Sequence, residues 1–337
     1  MTNVTVSAPG KAILCGEYAV LRGAPAISLA IDRRARVCLR SSPDEFHTLS
    51  TPGYVSGSWR FRATPESKVD WLDEPPAEGL GLFEEAWLAA AGGRSSSLSI
   101  MIDSREFFDS QNGHKLGFGS SAAVTTALVA ALSDPGSRTQ ACWPLARKVH
   151  REFLGGRGSG VDVATSCHGG LITYTKGSDR TPPRQRWPEG LAFRFFYSGQ
   201  PADTFAAISD LEASPSDAAS WSALVVNANA AARVWAAGDA EEVLDATRLY
   251  TDVLQQFNVA HDLGIFDAGH DTMVELASSV GTVYKPCGAG GGDIGIVLAT
   301  SVADIDQFQR EAEGCGFVSL DVQPDDFGVK EEAGTTA

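Results

Sequence analysis

The sequence predicts an α+β protein organised as two domains, and three observations carry that prediction. The chain has 337 residues, more than one hydrophobic core usually serves. Short strand-like stretches alternate with alanine-rich helical ones along its length, with no internal repeat. Three glycine clusters stand between strands and helices. One large domain with insertions is the organisation that length alone leaves open.

Val4–Ser7 alternates and reads as a short strand, followed by APGK as a turn and AISLAI as a second strand. RRARVCLR (33–40) alternates basic and apolar residues, as a half-exposed strand does. Residues 52–79 read as loop. Leu80–Ala91 reads as a helix and 97–102 as a strand, and a polar connection from Asp103 to Lys115 follows. Ala122–Leu132 is the clearest helix, and Ala141–Leu154 is another. Next come a glycine cluster, GGRGSGVDVATSCHGG, and the strand LITYT. Residues 180–188, rich in proline and arginine, read as a linker, and Phe193–Tyr197 as a strand. From Asp203 to Ser279 the pattern is helical, broken at Pro215, Gly238 and Gly264. VGTVYKPCGAGGGDIGIVLAT and a helix–strand unit to about Val322 complete the fold, and KEEAGTTA reads as a frayed tail.

Composition excludes several classes. Net charge is −15, from 42 acidic against 27 basic residues, and no basic run offers a nucleic-acid footprint. The longest apolar run, Ala122–Leu132, is too short to cross a bilayer, and the N-terminus lacks the pattern of a signal peptide. A cytoplasmic protein with no membrane partner is expected. Six scattered cysteines without a C-x-x-C pair argue against a zinc site or a disulfide framework and for a reducing compartment. An anionic ligand remains compatible with an acidic chain if particular cations gather around it.

The glycine loops are candidate anion cradles. Without a Cβ, successive N–H groups converge on one point, and a helix starting there adds the positive end of its dipole. Gly117–Ser121 has both features, and the Ser120 and Ser121 hydroxyls suit a magnesium ion on phosphates. The plain alternative is a glycine turn with a serine N-cap. The loop is not a Walker A sequence. It matches G-x-G-x-x-A, but it follows a polar turn, and no acid closes a βαβ unit at the distance a dinucleotide site needs. CGAGGGD (287–293) has four glycines in five residues, more than a structural bulge requires. Gly155–Gly160 leads into Asp162, which reads as catalytic or as an Asx-turn residue. No G-x-S-x-G elbow supports a serine hydrolase.

Taken together, APGKAILCGEYAVLRGAPAIS (8–28), KLGFGSSAAVTTALVAAL (115–132), GRGSGVDVATSCHGG (156–170) and KPCGAGGGDIGIVL (285–298) resemble the GHMP small-molecule kinase superfamily. The order and spacing agree, and the four cover about a quarter of the chain. GEYAVL, where mevalonate kinases usually show a histidine after the glutamate, and GAGGGD look like the phosphomevalonate kinase branch, as does IDSREFFDSQNGHKLGFGSSAA. Phe118 departs from that branch, which usually has leucine there.

The resemblance implies the two-domain GHMP fold: an N-terminal ATP-binding domain with a ribosomal-protein-S5-like part (1–180), a ferredoxin-like α/β sandwich (181–328) and a flexible tail (329–337), with the site between the domains. It implies ATP and Mg2+ as cofactors and phosphorylation of 5-phosphomevalonate to 5-diphosphomevalonate on the mevalonate route to isoprenoids. Mevalonate kinase, or another alcohol kinase of the superfamily, is the alternative. A monomer or homodimer is expected. By position, Lys11 and Asp162 are catalytic. Lys115, Gly117, Phe118, Gly119, Ser120, Ser121 and Ala122 bind ATP, and Ser120, Ser121 and Glu152 are the magnesium candidates. Glu152 has a solvated helix residue as its alternative. Glu17, Tyr18, Ser110, Arg157, Ser159, Gly160, Gly288, Ala289, Gly290, Gly291 and Asp293 bind the substrate.

The implied acceptor changes what the site must do. A phosphate monoester has a second pKa of about 6, so its attacking oxygen is largely ionised at neutral pH. The harder task is to bring two polyanions together, because unit charges 4 Å apart repel by about 4 kcal/mol at an effective dielectric near 20. Lys11 and Lys115, then Arg105 and Arg157, are the cations expected to offset this. Lys285 reads as structural or solvated. Asp162 is expected to orient Lys11 and the acceptor more than to take a proton.

Overall fold

The computed structural model describes residues 3–333 apart from 54, 77–78, 93–95, 111, 179, 203–206, 208, 212–213 and 215–216. The expected helix start at Asp203, the break at Pro215 and the last four residues lie outside the described residues.

In chain order, a first sheet is built from β1 (Asn3–Cys15), β2 (Pro25–Ser41), β3 (His47–Ser50), β4 (Ser58–Ala63), β5 (Val69–Trp71), β6 (Leu98–Asp103), β7 (Leu171–Thr175) and β8 (Arg184–Gln185). A second, antiparallel sheet holds β9 (Ala192–Tyr197), β10 (Val283–Pro286), β11 (Ile294–Ala299) and β12 (Val318–Leu320) in the order β10-β11-β9-β12. The chain then returns, and β13 (Lys330–Glu331) pairs with β1 at the edge of the first sheet. β2 is the spine: its 17 residues pair with β1 on one side, and with β7 and then β6 on the other.

The helices are α1 (Gly81–Ala90), α2 (Ser120–Leu132), α3 (Trp143–Phe153), α4 (Val161–His168), α5 (Ala218–Ala237), α6 (Ala240–His261), α7 (His270–Ser279) and α8 (Val302–Gly314). α2 is apolar on every side, as only an internal helix can be, and packs on β1 and β2. The break at Gly238 is sharpened by a capping box in which Asp239 and Glu242 bond each other's backbone N–H.

Several sequence expectations are corrected. APGK is no turn: β1 runs through it, with a register shift between Pro9 and Gly10. Strands β4 and β5 occupy the stretch read as loop, held by Phe61, Trp71, Phe83 and Trp87 packed ring against ring. Helix α4 lies inside the glycine cluster, and its apolar residues are buried. The supposed linker contains β8, paired with β7, so the first sheet extends past residue 180. The tail expectation fails for its first residues, since Val329 is buried and Lys330–Glu331 form a strand. Arg34 explains this return. Its guanidinium bonds Ser7 Oγ (2.9 Å), Ser7 O (3.1 Å), Phe327 O (3.1 Å), Gly328 O (2.8 Å) and the Asp325 carboxylate.

The two sheets share one core. Ala12, Leu14, Phe107 and Phe118 pack with Phe195, Trp235 and Phe257 from the second half of the chain. Phe118 meets Phe195 edge to face at 5.6 Å. No helix of the described residues is long and apolar enough to cross a membrane.

Candidate active site

The bulge in β1 aims Lys11 inward. Gly10 lies so close to the Phe118 carbonyl and the Phe107 ring that a Cβ would stand 2.7 Å from each. Lys11 N–H donates to Phe118 O at 2.9 Å, tying β1 to the second glycine loop. The Lys11 side chain is 8% exposed, and its Nζ lies 3.7 Å from Asp162 Oδ1. Asp162 sits in the first turn of α4, where the helix dipole favours an anion. Gly160, at φ 86°, makes the left-handed turn that starts this helix.

The second loop delivers the N-terminus of α2. Gly119, at φ 74°, is its N-cap, and no side chain caps the first turn, so its N–H groups are available to a ligand. A Cβ at Gly119 would meet Lys11 Cε at 2.8 Å, and one at Gly117 would run into Asp293. The uncapped N–H groups at the start of α2, with Lys11 beside them, suit phosphate groups. The Ser121 hydroxyl lies 3.2 Å from His150 Nε2. Burial, helped by Lys11 and Lys115 and opposed by Asp162, holds the His150 imidazole below its ordinary pKa. The Phe118 ring is part of the core, so only its backbone belongs to the loop. Ala122 is fully buried beneath it.

The third loop closes from the second sheet. Gly288, Gly290 and Gly291 all have φ between 75° and 78°. Gly291 N–H donates to Ile265 O at 2.9 Å, and a Cβ at Gly290 would strike Ile265. A Cβ at Gly288 would stand 3.7 Å from Lys11 Nζ. Tyr18 donates to Ala289 O at 2.5 Å. Asp293 accepts from Ala202 N–H at 3.0 Å, and burial holds its carboxyl above the ordinary range.

A cleft of about 600 Å³ opens beside these elements, walled by Lys11, Glu17, Tyr18, His150, Asp162, Gly288 and Ala289. Five further cations line it, Arg147, Lys148 and Arg151 from α3, Arg157 from the loop that follows, and Lys176 after β7, beside the apolar Ile13, Val20, Leu21, Pro144 and Leu154. Sequence reasoning named Arg157 but missed the other four and His150. The signal was present in LARKVHREF, whose charges recur one helical turn apart, but nothing in that spacing says which partner the face meets.

Other expected residues fall elsewhere. Arg105 pairs with Asp103 at the exposed edge of β6 and is not a wall residue of the cleft. Lys285 is fully buried and ion-paired to Glu17, which removes the solvated alternative and occupies one Glu17 oxygen. Ser110 is exposed in the turn between Phe108 and Lys115. Ser159 lines the cleft, but its hydroxyl accepts from Val161 N–H (3.3 Å) and its carbonyl from Tyr174 (2.8 Å). Glu152 lines the cleft too, half exposed, with Lys148 at 3.9 Å. Among the described residues no three histidine, cysteine or acidic side chains gather as a metal-holding group. A magnesium ion here would depend chiefly on phosphate oxygens, with the Ser120 or Ser121 hydroxyl as protein ligand.

Comparison with known proteins agrees with this geometry. Residues 85–170 match the family "GHMP kinases N terminal domain". The chain is 30% identical to the phosphomevalonate kinase of Streptomyces sp. (strain CL190), over 94% of this chain and 96% of that one. It is 27% identical to a mevalonate kinase of Archaeoglobus fulgidus, over 85% and 89%. Its fold superposes on Streptococcus pneumoniae phosphomevalonate kinase, solved in complex with phosphomevalonate and AMPPNP, with a TM-score of 0.77 at 18% identity, covering 96% of this chain and all of that one. Identity of 30% to one kinase over nearly the full length of both chains, with the matching N-terminal family domain, places the chain in the GHMP kinase family.

Proposed function

We propose that the protein transfers the γ-phosphoryl group of ATP to 5-phosphomevalonate, releasing ADP and 5-diphosphomevalonate. The observation that carries this reading is the charge of the cleft. In a chain of net charge −15, Lys11, Arg147, Lys148, Arg151, Arg157 and Lys176 line one cavity, against Glu152, Asp162 and a Glu17 already paired with Lys285. A neutral sugar or an uncharged alcohol needs no such wall, whereas an acceptor carrying a phosphate and a carboxylate does. ATP bound with Mg2+ supplies the phosphoryl group and part of the charge neutralisation.

The protein's own part is positioning and electrostatics. The Gly117–Ser121 cradle and the start of α2 hold the donor phosphates. Lys11, fixed by β1 and the Phe118 carbonyl, offsets charge between donor and acceptor. Asp162 keeps the Lys11 ammonium in place. Gly288–Ala289 excludes water from the Lys11 side of the cleft. The α3 cations hold the acceptor.

An alcohol kinase acting on mevalonate is the second reading, favoured by the aspartate beside Lys11, which would serve a hydroxyl as base. ADP release from ATP–Mg2+ with mevalonate and with 5-phosphomevalonate, side by side, separates the two. Turnover with the phosphorylated acceptor alone is expected. Turnover with mevalonate alone would overturn the proposal.

A further inference from the structure

One buried charged group beside the site has no part in the transfer just described: the ion pair of Glu17 and Lys285. Glu17 follows β1 in the first sheet and Lys285 lies in β10 of the second, 268 positions later. Their side chains are 1% and 0% exposed. Two charges taken so completely out of water are a poor way to glue sheets together, since apolar residues of the same size do it as well. The pair therefore calls for a local reason.

Its surroundings supply one. Lys285 Nζ also donates to Pro286 O at 2.7 Å, at the start of the third glycine loop. Glu17 Oε2 is buried with no hydrogen-bond partner among the described residues. Burial raises the pKa of this carboxyl, and the Lys285 ammonium opposes it. Tyr18 holds the loop through Ala289 O at 2.5 Å, and Tyr250 fixes the Glu17 carbonyl at 2.9 Å. Gly288 lies beside Lys11, where a Cβ would stand in ordinary contact at 3.7 Å from Nζ. The ion pair is thus tied through Pro286 O to the start of the loop whose Gly288 and Ala289 line the cleft together with Lys11 and Glu17.

We propose that Glu17 and Lys285 are positioning residues that set the Gly288–Ala289 wall against Lys11, and that Glu17 acts through this wall and not by touching the acceptor. The assay rests on the phosphomevalonate reading, and the loop measurement does not.

The test is a double-mutant cycle with Glu17→Gln, Lys285→Met and their combination, read by steady-state kinetics and by amide exchange of the 283–292 segment. Each single variant strands a buried partner. A loss of about tenfold or more in kcat is expected, with KM for ATP within about twofold of the parent and faster exchange in the loop. The double variant carries no stranded charge and is expected to lose no more than the worse single. Tyr18→Phe, which leaves the ion pair intact, is expected to lose a few-fold in kcat and also to quicken exchange at Ala289. Losses that multiply in the double variant would overturn the proposal. So would Glu17→Gln raising KM for the acceptor alone with loop exchange unchanged, because that is the signature of a substrate contact. If the parent turns over neither acceptor, the functional reading falls, and exchange in the cycle still decides the positioning role.

Discussion

Lys11 follows the register shift in β1, and its Nζ lies 3.7 Å from Asp162 Oδ1, a pair that the proposed reaction uses for orientation. An aspartate that near an ammonium orients it, and an acceptor already ionised has no proton to give. Asp162→Asn is therefore expected to cost only a few-fold in kcat. A loss approaching 10⁴, the upper range for removing a general base, would return Asp162 to that role. His270 makes a second prediction at this scale. It is buried between the Tyr284 hydroxyl (2.8 Å) and Gly292 O (2.9 Å), and burial lowers its pKa to about 4. The folded protein keeps it neutral while the unfolded chain protonates near 6.5. Its contribution is present above pH 6.5 and is lost as the pH falls toward 4, worth at most about 3 kcal/mol at 1.36 kcal/mol per unit. Urea unfolding at pH 7.5 and pH 5 should show the drop, and His270→Gln should flatten it.

Among the elements, α3 has the sharpest consequence. Trp143, Ala146 and Val149 bury one stripe, and Arg147, Lys148 and Arg151 reach the cleft. Replacing Lys148 and Arg151 together by glutamine should raise KM for the acceptor about tenfold, leave KM for ATP unchanged and weaken the salt dependence of acceptor binding, as measured by kinetics from low to high ionic strength. The helix itself was legible from periodicity, but its partner was not, because that is decided by how the 155–160 turn folds back. The glycine loops show the same division. Their sequence gives bare backbone at a helix start, yet Gly117 is bare because Asp293, 176 positions on, presses against it. α4 was hidden because glycine on both sides of an eight-residue helix reads locally as one loop. β4 does alternate, as SWRFRA, but it is short and flanked by glycine- and proline-containing stretches, and β5 has only three residues. Phe61 and Trp71 are held by Phe83 of α1.

At the scale of the whole molecule, the sheets are joined by a shared core, and β13 returns to pair with β1. Arg34 is the clasp, 6% exposed and saturated with bonds to Ser7 and to the 325–328 segment. Arg34→Met should lower the unfolding free energy by about 1–3 kcal/mol, since it leaves the carbonyls of Ser7, Phe327 and Gly328 without their guanidinium donor and takes the cation from the half-buried Asp325 carboxylate. A denaturant titration reads this directly. Length left two domains or one large domain with insertions open, and the return of β13 could not be read from KEEAGTTA, because two-residue strands carry no periodicity.

That return has a consequence for how the protein is made. Synthesis runs from the N-terminus at roughly 5–20 residues per second. β1 emerges long before its edge partner, Lys330–Glu331, which lies far downstream in the chain. Throughout that interval the nascent first sheet has an open flank at β1, with unpaired backbone groups of the kind that recruit stray strands. The Glu17 side of the pocket waits likewise for Lys285. The ribosome-bound chain is thus a sheet without its border and a pocket without its wall, and both are completed only when the late segments fold back onto the early ones.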